Sequence, residues 1–220
     1  MAARITDKLY QDYLSSLLSG EKITCRQIVK DLIDKEIEVK ELYINLFQRS
    51  LYDVGELWEN NYITVATEHL ATSLTSSLMT LTYPIIFNTE KIGKKALVTA
   101  ITNEYHQIGA RMIADLMELQ GWDTFFLGAN IPLEDLENMI VEKEPDYLAL
   151  SVAIYFNISN LEKILVRITG KFPDQKIIIG GQAFRWGGEE VVKNFKNAKL
   201  FKDILLFEKF LNETQWTKTS

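Results

Sequence analysis

Between Lys95 and Pro132 the chain runs through a strand, a loop, a helix and a second strand, an order that leaves few folds open. Ala96 to Ile101 is a short apolar run with β-branched residues and reads as a strand. A polar loop follows, carrying Glu104 and His106. In the helix that opens at Gly109, Ile108, Met112 and Leu116 recur at four-residue spacing, which places them on one face. Gly121 stops that helix, and Asp123 to Leu127 forms the next strand. A strand, tight loop and helix make half of a βαβ unit. The loop then lies at the carboxyl edge of the sheet, where open α/β sheets take their ligands.

The same alternation continues to the end of the chain. Strands are expected at 96–101, 123–127, 146–151 and 176–179, with a weaker fifth near 199–201. Helices are expected at about 108–119, 132–143, 159–170, 188–196 and 203–213, with Pro132 well placed at the first turn of its helix. Five strands alternating with helices predict a doubly wound parallel sheet of the flavodoxin-like, Rossmann type.

The preceding part reads as helices. The first covers Asp7 to Leu18. Thr24 and Gln27 have capping-box spacing ahead of a stripe of Ile28, Val29, Leu32 and Ile33. From Val39 to Asn60 a longer helix puts Phe47, Leu51, Val54 and Trp58 on one face, and Asn60, Asn61 and Tyr62 turn the chain. Leu70, Leu74, Leu78 and Leu81 line up in a fourth helix, which Pro84 ends. Four helices with short connections predict a bundle. The expected division is a helical bundle over 1–84, a linker over 85–94 and an α/β domain over 95–220.

Composition narrows the function. Apolar residues make up 47% of the 220, enough for a packed core, and no segment is long and apolar enough to span a membrane. The N-terminus lacks the apolar centre of a signal peptide, and a single cysteine, Cys25, fits a reducing cytoplasm. A net charge of −6 gives no pull toward nucleic acid, so any role at DNA would run through a protein partner.

Few residues are placed to carry chemistry. Glu104 lies two positions before His106, and in an extended loop such positions share a side. The carboxylate can accept from one ring nitrogen and leave the other for a metal, a pairing that fixes the tautomer and raises ligand basicity. The alternative is a loop histidine beside a surface carboxylate. Gly109 would let a bulky group approach the helix start. Ser151 ends the third strand, and Gly180 and Gly181 end the fourth. Small groups there admit a flat ligand, or else the glycines only turn the chain and the hydroxyl is a satisfied core group.

Glu104, His106, Gly109, Ser151 and Gly180-Gly181 together resemble the D-x-H-x-x-G…S-x-(L/T)…GG signature of cobalamin-binding domains. The resemblance implies that His106 displaces the corrinoid's own base and becomes the lower cobalt ligand. Glu104 would orient it, and Ser151, Gly180 and Gly181 would line a slot for the nucleotide tail. Two departures stand out: Glu104 replaces the usual Asp, and Ala153 takes the third position of the serine motif.

In the bundle, Trp58 followed by Glu68 and His69 resembles the cap of cobalamin-dependent photoreceptors and related antirepressors, where these residue types cover the upper face of the corrin. The alternative is that Trp58 is core, since it falls on the apolar face of its helix. The histidine that directly follows the Trp in photoreceptors that switch to two-histidine ligation is here Glu59, and no helix-turn-helix segment precedes the bundle.

The resemblance implies a non-enzymatic sensor holding cobalamin, with adenosylcobalamin favoured and methylcobalamin possible, that regulates a partner in response to light or cofactor state. The alternative is a corrinoid protein that carries methyl groups for a methyltransferase. The partner would be a transcription regulator or a methyltransferase, with self-association possible and no membrane or direct nucleic-acid contact. A corrinoid-free flavodoxin-like module is a third reading. Against it, a phosphate-accepting receiver needs an Asp where this chain has Ser151, and a flavin site needs a hydroxyl-rich loop where it has Thr102 to His106.

Overall fold

Five strands form the sheet, and the three central ones, covered on both faces, read as near-continuous hydrophobic stretches rather than alternating ones. In the computed structural model, which describes residues 4–215, the five are β1 (Lys95–Ala100), β2 (Asp123–Phe126), β3 (Tyr147–Ser151), β4 (Lys176–Gly180) and β5 (Ala198–Phe201). All pair in parallel, in the order β2-β1-β3-β4-β5. This is the expected doubly wound, flavodoxin-like sheet. The order reverses between β1 and β3, and the crevice at that switch point is where such sheets hold ligands.

The chain forms two compact units, Met1–Ile85 and Ile86–Ser220. In the first, α1 (Asp7–Leu18), α2 (Lys22–Asp34), α3 (Val39–Leu42), α4 (Arg49–Glu59) and α5 (Val65–Met79) build the bundle. Tyr13, Leu17, Val29, Leu42, Phe47, Val54 and Leu78 are buried in it. The expected long third helix is interrupted. Between α3 and α4, Tyr43–Gln48 winds as a wider π segment, in which Tyr43, Leu46 and Phe47 all stay buried. The expected capping box at Thr24 does not form. The helix starts one turn earlier, at Lys22, and the Thr24 hydroxyl donates to Glu21 Oε2 (3.1 Å). Nor does Pro84 end the fourth helix. After Met79 come a 3₁₀ turn and the short α6 (Tyr83–Ile86), whose second position tolerates a proline.

In the second unit, α7 (Ile108–Leu119) and α11 (Ile204–Gln215) cover one sheet face. There Ala110, Ala114, Met117, Phe207 and Leu211 meet Ala96, Val98 and Ile178. On the opposite face, α8 (Leu133–Lys143), α9 (Ile158–Lys171) and α10 (Glu189–Lys193) bury Leu136, Leu161, Ile164 and Val192 against Leu97, Leu148, Leu150 and Ile177. Pro132 is the N-cap of α8, one residue earlier than expected. The helix expected over 188–196 is shorter, because Asn197 donates to the Gln175 carbonyl (2.7 Å) and the chain has already turned toward β5.

Gly121 ends α7 as anticipated. With φ at +85°, it allows the Trp122 N–H to reach the Met117 carbonyl and its own N–H to reach Glu118, which satisfies the last carbonyls of the helix. The outer strands β2 and β5 have four residues each and carry exposed Asp123 and Lys199. Among the described residues, no helix is long and apolar enough to cross a membrane.

Candidate functional site

Glu104 is the centre of the site, and it is not a surface group: only 1% of it is exposed. The loop that follows β1 turns it inward, so its carboxylate spans the switch point to the loop that follows β3. Oε2 accepts from the Ala153 N–H (3.0 Å), the Ile154 N–H (2.9 Å) and Asn157 Nδ2 (3.1 Å). Oε1 accepts from the Tyr105 and His106 N–H groups (3.1 and 3.2 Å) and lies 2.5 Å from His106 Nδ1. An ionised carboxylate can only accept, so Nδ1 carries the proton and Nε2 is the ring nitrogen turned away from Glu104. The imidazole is 55% exposed. Its carboxylate anchor is buried, and its outer edge reaches the carboxyl end of the sheet.

The electrostatics follow from the same contacts. Burial pushes the Glu104 carboxyl up, but hydrogen bonds from His106, the Ile154 N–H and Asn157 outweigh it and bring it down to about 2. A group whose folded pKa lies below its unfolded value, here 4.5, stabilises the fold above that value and loses the contribution as pH falls. The cofactor-free protein is therefore expected to lose on the order of 3 kcal/mol from this group between about pH 5 and pH 2. In Glu104→Gln that part of the acid dependence should vanish. Denaturation midpoints across that range, compared between the two proteins, check it.

The floor of the site is low. Ala100, Ser151 and Gly180 stand in register at the ends of the three central strands, making a row of small side chains along the carboxyl edge. Gly181, with φ at +118°, passes so close to β3 that an added Cβ would lie 2.0 Å from the Val152 carbonyl oxygen. Gly109 differs, since a Cβ there would meet nothing within 4 Å beyond its chain neighbours and its own helix backbone. Nothing in the protein's own packing requires a glycine at 109, which leaves room beside His106 for a large flat group.

Several contributors were not legible as site residues. Asn103 and Asn130 both adopt left-handed backbone, with φ at +65° and +55°. Asn130 Oδ1 accepts from the Asn103 N–H (2.9 Å), and Thr102 Oγ1 donates to the Ile131 carbonyl (2.6 Å). From α9, Asn160 Nδ2 donates to the Thr102 carbonyl (2.6 Å) and Asn157 Nδ2 to the Asn103 carbonyl (3.3 Å). The available signal was a run of asparagines near turns and helix starts, where their side chains bond backbone groups. Ala153 belongs to the site through its N–H, which any residue type except proline would supply.

An imidazole braced on a buried carboxylate, a neighbouring glycine that no packing explains and a row of small residues at the switch point fit the underside of a corrin ring. Residues 94–198 match the family described as B12 binding domain, and residues 9–82 match a second family of the same description. The chain belongs to the B12-binding domain family. Its cofactor is cobalamin. It is 24% identical over 180 residues to the HTH-type transcriptional repressor CarH and 27% identical over 124 residues to the HTH-type transcriptional repressor CarA, both of Myxococcus xanthus. These matches take in 80% and 55% of this chain but only 59% and 42% of the relatives' own length. The structure of the Methanosarcina barkeri monomethylamine corrinoid protein shares the fold, with a TM-score of 0.79 at 14% identity, over 94% of this chain and 98% of that one.

In the bundle of this B12-binding chain, Trp58 is 45% exposed and so is not a core residue. It lies in the last turn of α4, which Asn61 closes with φ at +59° as the Tyr62 N–H reaches the Leu57 carbonyl (2.9 Å). Glu68 and His69 lie in the first turns of α5, whose N-cap Thr64 accepts from the Thr67 N–H (3.2 Å). Glu68 Oε2 pairs with His69 Nδ1, while Oε1 accepts from Thr72 Oγ1 (2.9 Å). Both histidines of the chain are thus braced in the same way, Nδ1 against a glutamate.

Proposed function

We propose that the chain is a sensor that holds adenosylcobalamin, with His106 as the lower cobalt ligand. Trp58, Glu68 and His69 contribute to binding the cofactor, and light or cofactor state changes a surface that a partner reads. The observation that carries the ligand assignment is the hydrogen bond between His106 Nδ1 and the buried carboxylate of Glu104, because it fixes the ring and turns Nε2 away from the carboxylate. Once bound, adenosylcobalamin supplies a cobalt–carbon bond that visible light can break. The protein's part is to orient the imidazole, to leave space at Gly109 and along Ala100, Ser151 and Gly180, and to exclude water.

The regulatory part draws on the two repressors, whose likeness to this chain runs through most of its length. A transcription regulator is the proposed partner, with self-association as a further route for the signal. Reconstituted holoprotein is expected to change its visible spectrum and its state of assembly after green light. An unchanged spectrum and assembly would remove the photosensor reading. The second reading is a methyl carrier that serves a methyltransferase, in keeping with the fold shared with a corrinoid protein. Methyl transfer to or from the bound corrinoid would decide for it. The exposed Trp58 weighs against it, since a carrier must bare the upper face of the ring.

A further inference from the structure

We infer that the indole N–H of Trp122 selects the nucleotide base of cobalamin, at the inner end of a lane of small residues between α7 and the sheet. The inference rests on the ligand reading of His106, because a base displaced from cobalt has a free ring nitrogen to offer. The first observation that carries it is an orphaned donor. Trp122 is fully buried in the layer where α7 and α11 meet the sheet. Its Nε1 is the one buried side-chain polar atom of the second unit without a hydrogen-bond partner among the described residues. Buried polar groups are nearly always paired, and an indole N–H can only donate. The residue is held in place at both ends. Its backbone N–H donates to the Met117 carbonyl (3.1 Å), its own carbonyl accepts from Lys91 Nζ (2.8 Å), and Tyr147 meets the ring edge-on at 5.7 Å.

The second observation is the contrast between the two faces of the sheet. On the far face, Leu97, Leu148 and Leu150 pack with Leu161, Ile164 and Leu165 of α9. On the face that Trp122 shares, alanine stands at 96 and 149 on the sheet and at 110 and 114 on α7. Alternate residues of a strand share a face, and the register sets Ala149 beside Val98, then Ser151 beside Ala100 and Gly180. The lane therefore starts at the row of small residues on the carboxyl edge and runs about 13 Å inward to the level of Ala96. Contacts between alanines bury little apolar surface, so α7 can part from the sheet along this line at less cost than along a leucine seam. A flat base suits such a lane, and an acceptor nitrogen at its end answers the donor of Trp122.

The test uses the full chain in the dark with two probes. One is methylcobalamin, and the other is the methyl cobamide whose base is p-cresol, which is flat and aromatic but has no ring nitrogen. Wild type is expected to bind methylcobalamin about tenfold more tightly, the worth of one hydrogen bond to a buried donor. Trp122→Phe keeps an aromatic ring and removes the N–H, so its two affinities should converge. If that variant does not fold, the native protein decides. With heavy nitrogen placed in the indole of Trp122 alone, the N–H resonance is expected to move downfield with methylcobalamin and not with the cresol form. Equal wild-type affinities, a preference that survives in folded Trp122→Phe, or a resonance that answers both probes alike would overturn the inference. The absorption spectrum separates the two ways of failing. Methylcobalamin that keeps its own base on cobalt when bound would sink the reading of His106, whereas a displaced base with a silent Trp122 would sink only the base contact.

Discussion

Replacing His106 with alanine is expected to weaken cobalamin binding by about 100-fold or more and to leave the corrinoid's own base on the cobalt. The size follows from what is lost and what is kept. Glu104 retains bonds from the Tyr105, Ala153 and Ile154 N–H groups and from Asn157, and the N–H of residue 106 remains. The loop therefore keeps its course. What disappears is a ring nitrogen already held in one tautomer and one direction, so the free protein should melt close to wild type while the holoprotein differs. The dark absorption spectrum and the dissociation constant read both effects together. An identical spectrum and affinity would show that the lower ligand lies elsewhere.

Gly181→Ala is expected to have the largest effect on stability, on the order of 4 kcal/mol or more in the cofactor-free protein. The new methyl group would run into the Val152 backbone: its carbonyl oxygen at 2.0 Å, and its carbonyl carbon and nitrogen at 2.7 Å. None of these can rotate away, and a φ of +118° disfavours any side chain in its own right. Gly109→Ala provides the contrast. It lies in the first turn of α7 with nothing near the new carbon beyond its chain neighbours and its own helix backbone, so the free protein should gain up to about 1 kcal/mol while cofactor binding suffers. Denaturant melts of the two free variants, set beside their cobalamin affinities, separate a glycine the fold needs from one the ligand needs. Equal melts for both would contradict the geometry at Gly181.

What could be read from sequence divides along sequence distance. The α7 bounds and the positions of β1 to β5 follow from local periodicity and the Gly121 stop, because the forces that set them act within a few residues. The spacing of Glu104 and His106 was equally visible, being a contact between neighbours in the chain. The burial of Glu104 was not. Its donors Ala153, Ile154 and Asn157 lie 49, 50 and 53 residues away, and two of them are backbone N–H groups with no signature in residue type. The π segment over Tyr43–Gln48 was hidden for a related reason. An apolar stripe at three- and four-residue spacing reads as one helix even where an extra residue has been taken into a wider turn. Thr24 shows the opposite error, a local motif matched but displaced by a turn because the helix begins at Lys22.

The two outermost strands have a consequence for how copies of this protein could come together. Each offers only four residues of ladder, with Asp123 on one rim and Lys199 on the other. Charged, abbreviated rims resist strand addition and fibril growth. Any oligomer that answers to the cofactor must therefore be built on helix and loop surfaces, where a change of a few ångströms can make or break the fit.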